Sequence, residues 1–234
     1  MPYCLLSGPI WKGDYDKVVT KLRANRLLFL SGFVLVSPGG DVNEALKIGR
    51  IFRKYLIATV APMHLPDGTT YLAWPSCDGR NCGECASACS LIWFGGVDRT
   101  GTVGLHRPRV DDPMFSRLAP PDASAAYRQV TRGIATYLEE MEVPRSIIEL
   151  MDNTSSGDIR WIDAISDRVD HPPSIAEWAD ASCGSGNEFY EALRNGTFEQ
   201  LPSRQQEFLK LQYSKKVECE GSLIGDHRGR LAPP

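Results

Sequence analysis

Three short segments carry residue types that can do chemistry together. Ser37-Pro38-Gly39-Gly40-Asp41 is a glycine turn, and two adjacent glycines let backbone N–H groups point outward at a bound oxygen. Cys85-Ala86-Ser87-Ala88-Cys89 sets a serine among small neighbours that leave its hydroxyl uncrowded. Gly104-Leu105-His106-Arg107-Pro108 supplies an imidazole. A hydroxyl nucleophile, a base to take its proton and fixed donors for the resulting oxyanion are the parts of an acyl-transfer site. Each segment alone also has a plainer reading, as a turn, as helix packing or as a strand end.

The elements needed to position these groups are readable around them. Cys4 to Ile10 reads as a first strand and turn, and Asp14 to Leu27 as a helix carrying Val18, Val19, Leu22 and Leu27 at helical spacing. Phe33-Val34-Leu35-Val36 is a short apolar run, the pattern of a strand buried on both faces. Asp41 to Leu56 is an amphipathic helix with Val42, Ala45, Leu46, Gly49 and Phe52 inward and Glu44, Lys47 and Arg50 outward. Ile57 to Ala61 is a second buried strand, so strand, helix and strand predict a right-handed crossover and a mostly parallel sheet.

Residues 63–84 read as a loop, and Cys85 to Phe94 as a short buried helix with Ser87 at its start, stopped by Gly95-Gly96. Thr102 to His106 is strand-like, and Arg107 to Pro121, rich in proline, is a surface loop or lid. A long helix from Asp122 to Met141, capped by Asp122, is followed by a short one opened by Pro144 and by a late strand at Ile159 to Ile162. The character changes after His171-Pro172-Pro173. The reading is a catalytic domain over residues 1–173 and a polar helical extension over 174–234, disordered from about Asp226.

Composition narrows the classes of function. The 234 residues are 42% hydrophobic, with 26 basic and 29 acidic side chains and a net charge of −3, an ordinary globular balance that disfavours non-specific nucleic-acid binding. No apolar run is long enough to span a membrane. The N-terminus lacks the basic, apolar and small-residue sequence of a secretory leader. The expected compartment is therefore the cytoplasm, or the bacterial envelope or periplasm if a leader is missing.

Seven cysteines pull toward an oxidising compartment or a metal. Cys77, Cys82 and Cys85 have the spacing of a plant-type iron–sulfur loop, with Cys89 as a fourth ligand, and a zinc site with His106 is a second possibility. The plainer reading is disulfides or buried thiols around the serine loop, with Cys77–Cys82 closing a small turn and Cys183–Cys219 stapling the tail. We carry that reading forward, with no metal and no cofactor. His64, His171 and His227 read as exposed and inert, and Lys47 as part of a solvated face.

The order Ser37-Pro38-Gly39-Gly40, then Ala86-Ser87-Ala88, then His106-Arg107-Pro108 resembles the serine peptidases of the Clp-protease proteolytic-subunit type, within the ClpP/crotonase superfamily. The resemblance spans roughly residues 5–165, and Cys-Ala-Ser-Ala-Cys is similar to a little-characterised bacterial branch of ClpP-like proteins. It implies an α/β fold of repeated β-β-α units wound into a superhelix. It also implies Ser87 as nucleophile, His106 as general base and then acid, and an oxyanion hole from the backbone N–H groups of Gly39 or Gly40 with Ala88. Asp152, ending a helix, is the implied third member, with Asp158 a rival and a dyad without an acid also open.

The implied activity is ATP-independent hydrolysis of a peptide or protein substrate by a possible homo-oligomer. The alternative is a catalytically inactive module that holds a peptide or partner. A crotonase-like reaction on acyl-CoA is less favoured, because that chemistry usually relies on a carboxylate base rather than on serine and histidine.

Overall fold

A computed structural model describes residues 4–24, 32–65, 67–72, 82–109, 118–163, 167, 172–173, 175–184 and 187–229. The chain divides into two units, Met1–Pro172 and Pro173–Pro234. Elements are numbered in chain order. In the first unit, strands β1 (Cys4–Ser7), β2 (Phe33–Val36), β3 (Ala58–Val60) and β6 (Val97–Thr100) form a sheet in that order, every neighbouring pair parallel. The expected α/β class with a mostly parallel sheet is the one observed. Phe33, Val34 and Leu35 are buried, as a strand covered on both faces requires.

Three helices follow strands of this sheet or lead into its next strand: α1 (Asp14–Ala24), α2 (Val42–Lys54) and α3 (Ala88–Gly95). Asp41 caps α2, its carboxylate accepting the Glu44 N–H at 3.0 Å. Glu44 departs from the outward face assigned to it. It is 4% exposed, and its carboxylate accepts the N–H groups of Gly13 and Tyr15, each at 3.0 Å, and the Lys47 ammonium at 2.8 Å. The turn into α1 covers this side of α2, and a charge is tolerated there because its oxygens are satisfied. Helices α2 and α3 touch backbone to backbone at Gly49 and Gly95, where a Cβ on Gly95 would collide with the Gly49 main chain.

Three strands escape the sequence reading. Residues 63–84, read as a loop, include the antiparallel pair β4 (Met63–His64) and β5 (Thr70–Tyr71), because two-residue strands show no period. β6 was masked by its charges, and Arg99 on it is only 2% exposed. The Arg99 guanidinium donates to the carbonyls of Phe94 (2.6 Å), Gly96 (3.0 Å) and Met141 (3.2 Å), and burial beside Arg53 lowers its pKa to about 9.

β7 (Thr102–Leu105) pairs antiparallel with β8 (Arg160–Asp163), setting Gly104 opposite Trp161. α4 (Pro120–Glu140) is capped at Ala119, so Asp122 lies in its first turn instead of capping it, and α5 (Arg145–Asn153) begins just after Pro144. Tyr137 of α4 is fully buried and donates its hydroxyl to the Leu91 carbonyl of α3 at 2.6 Å.

The second unit is helical: α6 (Ile175–Cys183), α7 (Asn187–Arg194), a 3-10 turn at Phe198–Gln200 and α8 (Ser203–Gly229). Phe189 packs against Phe198 and Tyr213, and Lys216 pairs with Asp180. α8 continues through Gly229, beyond Asp226, where composition places the onset of disorder. Among the described residues no helix is long and apolar enough to cross a membrane.

Candidate active site

A short ladder past the main sheet brings the three motifs together. Ser37 pairs with Cys85, and Ala86 pairs with Gly104. Ser37 N–H donates to the Glu84 carbonyl (2.6 Å), Ala86 N–H to Ser37 (3.0 Å), Gly104 N–H to Cys85 (2.9 Å) and Ser87 N–H to Gly104 (2.9 Å). The glycine turn, the serine and the strand leading to His106 therefore lie side by side, although they are far apart in sequence. Gly104 must lack a side chain here, since a Cβ would stand 2.7 Å from Ile159 Cγ2 and 3.1 Å from Ala86 Cβ.

Ser87 stands at the turn from this ladder into α3, with φ 57° and ψ −127°. A non-glycine residue at such a φ costs about 1–3 kcal/mol, and such strain concentrates at functional sites. The Ser87 side chain makes no capping hydrogen bond, so the hydroxyl is not tied to its own helix. Gly39, at φ 103°, presses against the turn: a Cβ there would lie 2.7 Å from Ser87 Cβ and 3.0 Å from Ala88 N. Glycine at this position is what allows the two segments to approach.

The amides around Ser87 differ in what they are free to do. Gly39 N–H donates to Ser37 Oγ at 3.1 Å. Gly40 pairs with Ile10, but that bridge uses the Gly39 carbonyl and the Asp41 N–H, at 2.8 and 2.9 Å. Gly40 N–H is thus without a partner among the described residues, and so is that of Ala88, the first residue of α3. Gly40 and Ala88 both line a cavity of ≈ 720 Å³, with Pro38, Ser87, His106 and Pro108 and with Leu91, Ile134 and Met151 as apolar wall. Asp41 and Val42 line it too, so α2 and α3 both begin there and turn the positive ends of their dipoles toward it.

His106 Nδ1 lies 2.8 Å from the Arg107 carbonyl oxygen. A carbonyl can only accept, so Nδ1 carries the proton in this bond and Nε2 keeps the lone pair of a base. Asp152, the implied third member, makes no hydrogen bond to His106 among the described residues. It sits near the end of α5 and does not line the cavity, its carboxylate makes no hydrogen bond among the described residues, and partial burial raises its pKa. The nearer link is backbone: Arg107 N–H donates to the Thr154 carbonyl at 2.9 Å, which satisfies the α5 end without the acid. Asp158 is exposed and donates only its N–H, to Ser155 at 3.0 Å. The structure thus gathers Ser87, His106, Gly40 and Ala88 on one cavity with Gly39 against it, and leaves Asp152 outside. The Arg107 carbonyl was missed by sequence reasoning, because a backbone group has no residue signature.

The cysteines take a pairing that spacing had left open. Cys85 and Cys89 form a disulfide, which removes two of the four sulfurs that a cluster or zinc site would need. Cys183 and Cys219 are joined as expected, Cys4 is a free thiol, and Cys77 lies outside the described residues. Among the described residues no cluster of metal-ligating side chains is found. His64 is not an inert surface group: its ring stacks on Trp161 at 3.6 Å, Nε2 is buried without a partner among the described residues, and burial lowers its pKa. His227 packs beside Trp178 with ring centres 5.4 Å apart, and His171 lies outside the described residues.

No protein-family model matches the chain, and no curated protein matches it significantly. Among solved structures it is similar to the ClpP protease catalytic domain from Plasmodium falciparum, at 20% identity and a TM-score of 0.42, over 70% of this chain and 78% of that one. It is also similar to a ClpP1 mutant from Listeria monocytogenes, at 15% identity and a TM-score of 0.35, over 68% of this chain and 81% of that one. The functional reading rests on the geometry around Ser87.

Proposed function

We propose that the chain is a serine hydrolase acting on peptide substrates, with Ser87 as nucleophile and His106 as general base. The observation that carries this reading is the positive φ of Ser87 at a strand-to-helix turn, on a cavity shared with an imidazole and two amides that have no partner among the described residues. Ser87 Oγ attacks the substrate carbonyl carbon while its proton passes to His106 Nε2. The oxyanion accepts hydrogen bonds from Gly40 and Ala88 N–H, and losing one such donor raises the barrier by about 3 kcal/mol. Gly39, whose N–H is already given to Ser37, supplies close approach in place of a donor. His106 then returns the proton to the leaving amine, and water releases the acyl group by the same steps in reverse. No cofactor enters these steps.

The test is labelling by a fluorophosphonate, which traps an activated serine. The wild-type protein is expected to label, Ser87→Ala to abolish labelling and His106→Ala to slow it about a hundred- to ten-thousandfold. Labelling that survives Ser87→Ala overturns the assignment. A second reading is a peptide-holding module without catalysis, supported by the absence of a carboxylate hydrogen bond to His106 among the described residues. It predicts peptide binding by a wild-type protein that does not label.

A further inference from the structure

Cys85 and Cys89 are fully buried, and their disulfide closes a loop of five residues. Inside that loop sit Ser87, with its positive φ, and Ala88, with its unpartnered N–H. The two anchors belong to different elements. Cys85 is in the strand ladder, its carbonyl accepting the Gly104 N–H at 2.9 Å, while Cys89 lies in the first turn of α3 and donates its N–H to Ala86 at 3.1 Å. The Cα atoms of the two cysteines are 5.2 Å apart, and a disulfide confines that separation to roughly 4.4–6.8 Å. No side chain in the loop can do this work: Ala86 and Ala88 are methyl groups, and Ser87 caps nothing. The turn is therefore held by the ladder on one side, by the helix on the other, and by one covalent cross-link between them.

We infer that the Cys85–Cys89 disulfide is a positioning element of the nucleophile turn, holding the Ser87 hydroxyl and the Ala88 amide in their reactive relation, so that full activity requires the oxidised pair. This rests on the reading of Ser87 as nucleophile. Reduction by a dithiol breaks the S–S bond and leaves two thiols. The two electrons and two protons come from the dithiol, which closes to its own disulfide. Once released, the strained φ of Ser87 relaxes and both groups shift. A displacement of about 1 Å at a reacting group can cost about a hundredfold in rate.

The experiment compares fluorophosphonate labelling rates and ester-substrate kinetics of the wild-type protein, the Cys85→Ala/Cys89→Ala variant and the Cys183→Ser/Cys219→Ser variant, with thermal melting of each. The inference predicts a labelling rate and kcat lower by about ten- to a hundredfold in the first variant, with KM changed by less than about threefold. The second variant should label at the wild-type rate whatever its melting temperature, which separates positioning from general stabilisation. If Cys85→Ala/Cys89→Ala does not fold, wild-type protein is treated with the dithiol, assayed, quenched, and its thiols counted by mass spectrometry. Loss of labelling must then follow reduction of Cys85 and Cys89 and not of Cys183 and Cys219. A labelling rate within twofold of wild type without the disulfide, in either arm, overturns the inference and leaves the Ser87 assignment standing. A wild-type protein that never labels overturns both.

Discussion

A backbone carbonyl behind His106 does part of what a carboxylate would do. It holds the ring through Nδ1, but it brings no negative charge to stabilise the imidazolium that the proposed attack by Ser87 would form. With no carboxylate hydrogen bond to His106 among the described residues, the proposed mechanism expects little from Asp152. Asp152→Asn should lower the labelling rate and kcat/KM less than tenfold, whereas the corresponding change in a complete Ser–His–Asp triad costs about ten-thousandfold. A drop of a thousandfold or more, measured side by side with His106→Ala, would show that Asp152 reaches His106 during turnover. That Ser87, His106, Gly40 and Ala88 line one cavity was legible because the sequence marks each by identity or position: a hydroxyl between alanines, an imidazole closing a strand, a glycine pair before a helix. The orienting group behind His106 was not legible, since every residue carries a carbonyl and only the folded path of Arg107 decides where that one points.

At the scale of elements, the β4–β5 pair gives the first unit a measurable acid sensitivity. His64 of β4 stacks on Trp161 of β8, and burial lowers its pKa below the ordinary 6.5, with Glu84 opposing this only in part. Protonation then favours the unfolded chain, so stability is fully present above about pH 6.5 and falls as the pH drops from there toward the depressed folded value. His64→Phe keeps a ring on Trp161 and removes the proton. The dependence of melting temperature on pH between 7 and 5 is expected to flatten in that variant, and an unchanged slope would exclude His64 as its source. This contact was invisible beforehand because β4 and β5 are two residues each and read as loop. β2 and α2, by contrast, declared themselves through an unbroken apolar run and a helical period. Glu44 was misread as surface and Arg99 drew no reading at all, for one shared reason. A charged side chain reads as surface, yet Glu44 meets two amides and an ammonium, and Arg99 meets three carbonyls at the ends of helices.

Across the whole molecule the two units are stabilised by different means. The first has a parallel sheet with buried aliphatic strands, while in the second Ala179 and Phe198 are deeply buried and a disulfide links the end of α6 to α8. The cross-link joins residues 36 apart in sequence, and closing a loop of that size stabilises by about 3–4 kcal/mol in the chain-entropy account. Cys183→Ser/Cys219→Ser should lower the unfolding free energy of the second unit by roughly that amount, read from denaturant melts followed at Trp178. A loss under about 1 kcal/mol would mean that helix packing alone holds this unit. That pairing was readable in advance because Cys183 and Cys219 stand apart from the crowded group. Cys85 and Cys89 were not resolved from that group, since proximity in sequence to other cysteines left several partners open. The bare contact between Gly49 and Gly95 acts at a distance along its helices. α2 starts beside the Gly40 amide and α3 starts with that of Ala88, so the spacing of those two donors is gauged by how closely the helix backbones meet. The width of the proposed oxyanion cradle is in that sense a property of helix packing, inherited by the loops that carry it.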